Sequence, residues 1–563
     1  MISVRRRPLA CLALGAGLLT GRLPGGLDTS AAGDAEGRVA EATIGTTPEN
    51  LEDQSRLEPV AVRVIAINDL HGAISTGREI GGRAVAGAAF LAAHVNRLRG
   101  EMPGRTLVVH AGDAVSASPA VSALFQDEPA IAIMNAIGVD AGVIGNHELD
   151  EGLPELRRLL DGGGHPATAE LTGCFGGAHY PTLAANAVAA ETGAPILPPY
   201  HVFTVGGVQI GVIGVVTTET PRSVGPGAAG LRFLDEAATV RRYAAKLRDA
   251  GVGTIIVLAH LGGRVDPSTA RVTGPVADLG RAVGELVDVI ISAHTHLGYV
   301  TMIGGALVTQ AWAYGDAAAA IDVEIDPGSG RVVTKRARLV RTWNDEVAPD
   351  PTVAEIVARY ERLAAPVVQQ VIGAAGRAIT RAPSEAGEQA LGDFIADAYR
   401  WRTGADVACA HPGWNWADLA AGKVTWGDLF LVQPATRDLV TLQLTGDQIV
   451  RFLDEQWRPE RTTQIQVSGL EIDVDITRPI GRRITASRAG GRPLDPEATY
   501  TVTMDAYLAG GGDLFTVPLE SKRRVTGPKD LATLIDYVRY LPQPFAAPVE
   551  GRIHRALVAA GAA

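Results

Sequence analysis

From Val60 onward, apolar runs alternate with amphipathic ones, and the apolar runs stop at short polar clusters. Val60–Ile67 is rich in β-branched residues and predicts a strand. Residues 86–99 place their apolar positions at helical spacing, so a helix is expected there. Residues 106–109 predict a strand ending at Gly112-Asp113, and 128–137 is helical in pattern. An apolar run over 137–144 leads into Gly145-Asn146-His147-Glu148-Leu149-Asp150, followed by a helix-like run over 153–160. Two strand-like pieces surround glycines in 205–216. Further strands are expected at 254–258, ending at His260, and at 287–292, ending at His294. Residues 318–325 alternate and stop at the turn signal Asp326-Pro327-Gly328. Strands and helices taking turns in this way predict an α/β domain. Its polar clusters fall at strand ends, where such sheets carry their chemistry.

Asp350-Pro351 supplies cap and first-turn residues for a long helix over 352–371, interrupted at Pro366. The expected division is a domain over 59–345, a linker helix over 346–372 and a second domain over 373–555. The second is α/β again, with a helix at 391–403, strands at 439–444 and 499–504, and the run Gly510-Gly511-Gly512.

Length agrees with two domains, since 563 residues exceed what one core supports. The formal charge of −11 argues against a polynucleotide partner, which needs a basic face to displace counterions. A small anionic substrate stays compatible if metal ions supply local positive charge. Cys11, Cys174 and Cys409 form no zinc motif; Cys174 and Cys409 are expected as buried thiols rather than a disulfide. Arg5-Arg6-Arg7 ahead of an apolar run over 8–20 predicts a signal peptide over 1–32, a polar linker over 33–58 and an exported protein. No apolar stretch is long enough to span a membrane.

The polar clusters form a coherent donor set. Residues two apart on an extended strand point the same way, so Asp69 and His71 are expected to share one ion, and His294 and His296 to face one site. Asp113 has two oxygens with which to bridge cations, Asn146 offers a neutral oxygen and His260 another imidazole. A structural zinc needs only about four ligands and favours Cys. This larger set fits two divalent ions about 3.5–4 Å apart, the arrangement that clamps a displacement at phosphorus. Zn, Mn and Fe all accept such ligands.

Asp-Leu-His-Gly at 69–72, Gly-Asp at 112–113, Gly-Asn-His-Glu at 145–148, His260 and His-Thr-His at 294–296 resemble, in order, the motifs of calcineurin-like metallophosphoesterases. The run 211–221, the stretch 391–398, Leu444-Thr445-Gly446 and the segment 507–513 extend the likeness to the exported 5′-nucleotidase/UDP-sugar hydrolase family. The resemblance implies a metallophosphoesterase β-sandwich flanked by helices, followed by an α/β substrate-binding domain. It implies one metal held by Asp69, His71, Asp113 and His296, and another by Asp113, Asn146, His260 and His294. His147 would hydrogen-bond the phosphoryl oxygens or protonate the leaving group, with Asp150 orienting its ring. The substrate implied is a small phosphate ester, in the first place a nucleotide.

The second domain departs from the pattern. His411-Pro412-Gly413-Trp414-Asn415-Trp416 stands where the family carries an Asn-Gly-Gly-Gly-Ile-Arg run, so its substrate arginine is absent. Ala435 replaces one base-stacking phenylalanine; Tyr507 matches the other, and Asp513 falls where the family contacts the nucleoside. Trp414, Trp416 and Arg437 are candidates to rebuild this pocket. His94, His110, His165, His179, His201, His411 and His554 lie outside the ligand blocks and are read as structural. Two alternatives stay open: a hydrolase of cyclic nucleotides, nucleotide sugars or other phosphate esters, and a non-catalytic binding protein on a decayed hydrolase scaffold.

Overall fold

Val60–Ile67 is the strand on which the first half of the chain is built. It pairs in parallel with Thr106–His110 and antiparallel with Ala317–Ile325. This computed structural model describes residues 58–434, 436–459 and 461–555. The expected signal peptide and almost all of the linker after it lie outside the described residues. The first sheet has six strands, ordered Val332–Arg341, Ala317–Ile325, Val60–Ile67, Thr106–His110, Ala141–Val143, Thr182–Leu183. A second six-stranded sheet runs Gly298–Ile303, Ala306–Ala311, Val289–Ser292, Thr254–His260, Val208–Val216, Tyr200–Val205.

The sheets pack face to face, with Val62, Val64 and Ala66 in one buried cluster with Ile210, Ile256 and Ile291. The opposite parity, Ile65 and Ile67, meets helices Ala88–Gly100, Glu128–Ile137 and Pro351–Val368. Ile213, Ile255 and Ile290 meet helices Glu236–Asp249 and Pro275–Val283 on the far side. Apolar residues of both parities are what strands covered on both faces require. The result is a β-sandwich flanked by helices.

The second α/β body carries a five-stranded sheet, ordered Gln466–Ser468, Val407–Ala410, Thr499–Asp505, Asp438–Thr445, Arg524–Lys529. Helices Ala390–Thr403 and Asp530–Tyr540 cover one face and Gly446–Asp454 the other. Thr445 caps that last helix by accepting from Gln448 N while Gln448 reaches back to Thr445 N.

Three local expectations change. The helix Pro351–Val368 continues through Pro366, two residues before its end. It packs against the first body, with Val353, Val357, Tyr360 and Ala364 buried in that core. The glycine-flanked pieces of 205–216 are the ends of a hairpin, Tyr200–Val205 and Val208–Val216, whose turn residues Gly206 and Gly207 have φ of 58° and 86°. Cys409 is buried, but Cys174 is exposed in a glycine-rich loop, and both are free thiols. Among the described residues no helix is long and apolar enough to cross a membrane.

Candidate metal centre and substrate pocket

The candidate ligands leave the carboxyl ends of strands from both sheets. Asp69 and His71 follow Val60–Ile67, Asp113 follows Thr106–His110, and Asn146 follows Ala141–Val143. His260 ends Thr254–His260, and His294 and His296 follow Val289–Ser292. The reason Asp69 and His71 converge is not the one expected from the sequence. Neither is on extended strand: φ is 48° at both, 49° at Asp113, 77° at His294 and 56° at His296. Left-handed backbone costs a non-glycine residue about 1–2 kcal/mol, so the surrounding structure must impose it. Here Asp69 N donates to Gly112 O at 3.1 Å, His71 N to Asp113 O at 2.9 Å and Gly72 N to Ala114 O at 3.0 Å. Those bonds lock the first ligand loop to the second. The third loop comes so close that a Cβ on Gly112 would lie 2.6 Å from Gly145 N and from His260 Nδ1.

Glu148, given no role by the sequence, ties the same loops from below. Its buried carboxylate accepts from Asp113 N at 3.0 Å, Ala114 N at 2.8 Å and Gly145 N at 2.5 Å. Burial and the nearby Asp113 charge push it up to about 7.

Two donor clusters result. Asp69, His71 and His296 form one, Asp113, His260 and His294 the other, with the donor atoms of each within 4.8 Å of one another. Asp113 reaches both, its Oδ2 lying 3.7 Å from His71 Nε2 and 3.1 Å from His260 Nε2. Asn146 Oδ1 is 3.2 Å from His260 Nε2. His71 Nδ1 contacts Ser116 O at 3.0 Å and His260 Nδ1 contacts Ala111 O at 2.9 Å. Each carbonyl accepts from Nδ1, so Nε2 is the nitrogen turned to the site, and on a neutral ring it presents a lone pair there. His71 Nε2 then faces His296 Nε2 at 3.2 Å. Burial lowers these rings to about 3 and about 4, so both are neutral. Burial also opposes charge on His260, yet the adjoining Asp113 carboxylate holds it at about 9. Lone pairs and buried carboxylates converging in this way fit divalent cations, which supply the compensating charge.

His147 sits beside the clusters, its ring centroid 5.2 Å from that of His71. Its backbone N donates to Asp113 Oδ1 at 2.9 Å, and its Nδ1 lies 2.8 Å from Asp150 Oδ2. Burial works against charge on this ring, but Asp113 and Asp150 outweigh it and raise His147 to about 9.

In the second body Tyr507 and Asp513 are joined, the hydroxyl donating to Asp513 Oδ1 at 3.0 Å. His411, read from sequence as structural, joins this pair with Nε2 3.0 Å from Asp513 Oδ2. Arg461, which no motif singled out, pairs with the same oxygen. The Arg437 guanidinium stands 5.2 Å from the Tyr507 ring centroid. Trp416 is held through its main chain, N to Val432 O at 3.2 Å and O from Arg381 Nη1 at 2.7 Å. The Trp414 side chain is outside the described residues.

A sequence-family model for the calcineurin-like phosphoesterase matches residues 62–298, and one for the 5′-nucleotidase C-terminal domain matches 367–520. Endonuclease YhcR of Bacillus subtilis is 35% identical over 88% of this chain, which spans 41% of that protein's length. Cell wall protein Lmo0130 of Listeria monocytogenes is 30% identical, with 89% of this chain matched to 70% of that one. Among solved structures, a 5′-nucleotidase precursor from Thermus thermophilus superposes with a TM-score of 0.68 at 26% identity, covering 88% of this chain and 99% of that one. Fold and site together define a metal-dependent phosphoester hydrolase. The chain belongs to the 5′-nucleotidase family of calcineurin-like phosphoesterases.

Proposed function

We propose that this chain hydrolyses nucleotide phosphate esters at a dinuclear metal centre, and does so after export. The observation that carries the reading is the convergence of Asp69, His71, Asp113, Asn146, His260, His294 and His296 around two adjacent donor clusters, with His147 beside them. Asp69, His71, Asp113 and His296 would hold one ion, and Asp113, Asn146, His260 and His294 the other. Bound divalent ions supply Lewis-acid charge and make water a competent nucleophile near neutral pH. His147 carries a proton that it can donate to a phosphoryl or leaving-group oxygen, and Asp150 fixes which nitrogen does so. Tyr507 offers a ring on which a base can stack, and Arg437 a cation near it. Asp513 is already engaged by Tyr507, His411 and Arg461, so these residues would read the rest of the substrate as a unit. Export is supported by the basic-then-apolar leader and by the Listeria relative's description as a cell wall protein.

Hydrolysis of AMP, UDP-glucose, a cyclic nucleotide and a plain sugar phosphate, measured side by side, tests the substrate class. Activity on the sugar phosphate with none on nucleotides contradicts it. A second reading, cleavage of phosphodiesters, is favoured by the Bacillus relative's description as an endonuclease. The charge of −11 weighs against a polymeric substrate. Single-stranded DNA belongs in the same panel for that reason.

A further inference from the structure

We propose that the Tyr314 hydroxyl donates a hydrogen bond to the substrate phosphate beside the Asp69–His71–His296 cluster, an addition to the site that none of the sequence motifs contains. The proposal rests on the phosphoesterase reading above.

Position is the first ground. The Tyr314 ring centroid lies 5.2 Å from that of His296 and 5.7 Å from that of His71. Its backbone N donates to Asp69 O at 2.7 Å. One residue therefore borders all three members of that cluster.

The second ground is how firmly the ring is held. Tyr314 has a φ of 57° and Trp312, two residues earlier, 50°. Bulky aromatic residues in this region are genuine outliers, and such strain persists only where the surroundings over-determine it. Arg78 supplies part of that restraint. Its guanidinium stands 4.7 Å from the Tyr314 centroid and is itself fixed by bonds to Asp316 Oδ1 at 2.8 Å and Oδ2 at 2.9 Å.

The third ground is the hydroxyl. Tyr314 is half-buried, and its hydroxyl makes no hydrogen bond among the described residues. A protonated phenol is a donor, and a phosphate ester at the adjoining cluster presents acceptor oxygens to it. A ring serving only as a wedge between Arg78 and the imidazoles needs no hydroxyl, and phenylalanine would serve as well.

Tyr314→Phe separates these roles, because it keeps the ring and removes the donor; Tyr314→Leu removes both. The probes are p-nitrophenyl phosphate for turnover and inorganic phosphate for binding to the metal-loaded protein, with metal content measured alongside. Tyr314→Phe is expected to keep wild-type metal content while kcat/KM and phosphate affinity each fall about 10-fold or more, the scale of one hydrogen bond to a charged group. Phosphate affinity and kcat/KM within twofold of wild type would overturn the proposal. So would loss of metal from Tyr314→Phe, which would assign the residue to ligand support. If the wild type binds phosphate but hydrolyses none of the esters, the phosphoesterase reading fails separately, and the phosphate affinity of Tyr314→Phe still decides whether the hydroxyl binds phosphate.

Discussion

His147 Nδ1 lies 2.8 Å from Asp150 Oδ2, and Ser116 Oγ donates to that same oxygen at 2.6 Å. Ser116 also offers its carbonyl to His71 Nδ1 at 3.0 Å. One residue thus braces both the acid behind His147 and a candidate metal ligand. If Asp150 fixes the tautomer of His147, the two substitutions separate in size. His147→Ala is expected to lower kcat about 100-fold or more, the scale of a lost general acid. Asp150→Asn, which keeps the imidazole but misorients it, is expected to cost less. Both should retain wild-type metal content, and equal kcat in His147→Ala and wild type would remove His147 from the mechanism.

Glu148 makes a second, independent prediction. Glutamine keeps the shape but turns one acceptor into a donor, leaving at least one of three buried N–H groups facing the wrong atom. An unsatisfied buried group costs about 1–3 kcal/mol. Glu148→Gln should therefore melt at lower temperature and hold its metals more weakly, measured by calorimetry and metal titration. Unchanged melting and metal affinity would mean that the loops hold without it.

Stability should also depend on Asp393, far from the metals. This side chain is buried, and burial, reinforced by a hydrogen bond with Glu388, raises it to about 9. Glu388 stays ionised, accepting from Gly551 N at 2.9 Å and Ile553 N at 3.1 Å. For a raised carboxyl the folded state binds the proton more tightly than the unfolded one, whose pKa is about 3.9. Its contribution is therefore complete below about pH 4 and lost as pH rises toward about 9. Asp393→Asn, neutral throughout, should flatten the decline in melting temperature across that window. An identical pH profile in wild type and variant would contradict the assignment.

Chelation should act on stability as well as activity. Cations bound only by the folded chain stabilise it by mass action, and here they would also relieve the crowding of buried acceptors around Asp113. Treatment with EDTA is expected to abolish phosphoesterase activity and lower the melting temperature, with Zn, Mn or Fe restoring both. A chelated protein with full activity would rule out metal chemistry.

Much of this was legible in the sequence because apolar strands such as Val60–Ile67 and Thr254–His260 end in polar residues that interrupt the apolar run. Spacing alone misled where backbone conformation mattered. Asp69 and His71 come together through left-handed loop residues, a feature with no signature in the alternation of apolar and polar positions. Glu148 was visible as part of a motif, but its three backbone partners are fixed only when two distant loops meet. His411 looked ordinary because its partner, Asp513, lies 102 positions away. Pro366 suggested a break, but the helix runs two residues past it.

The number and proximity of bound metals decide most directly whether the seven side chains form a dinuclear centre. Purified protein loaded with Mn²⁺, analysed for stoichiometry and by electron paramagnetic resonance, should hold about two ions per chain, magnetically coupled as neighbours about 3.5–4 Å apart must be. A single uncoupled ion, or loading unaffected by replacing Asp113, would contradict it.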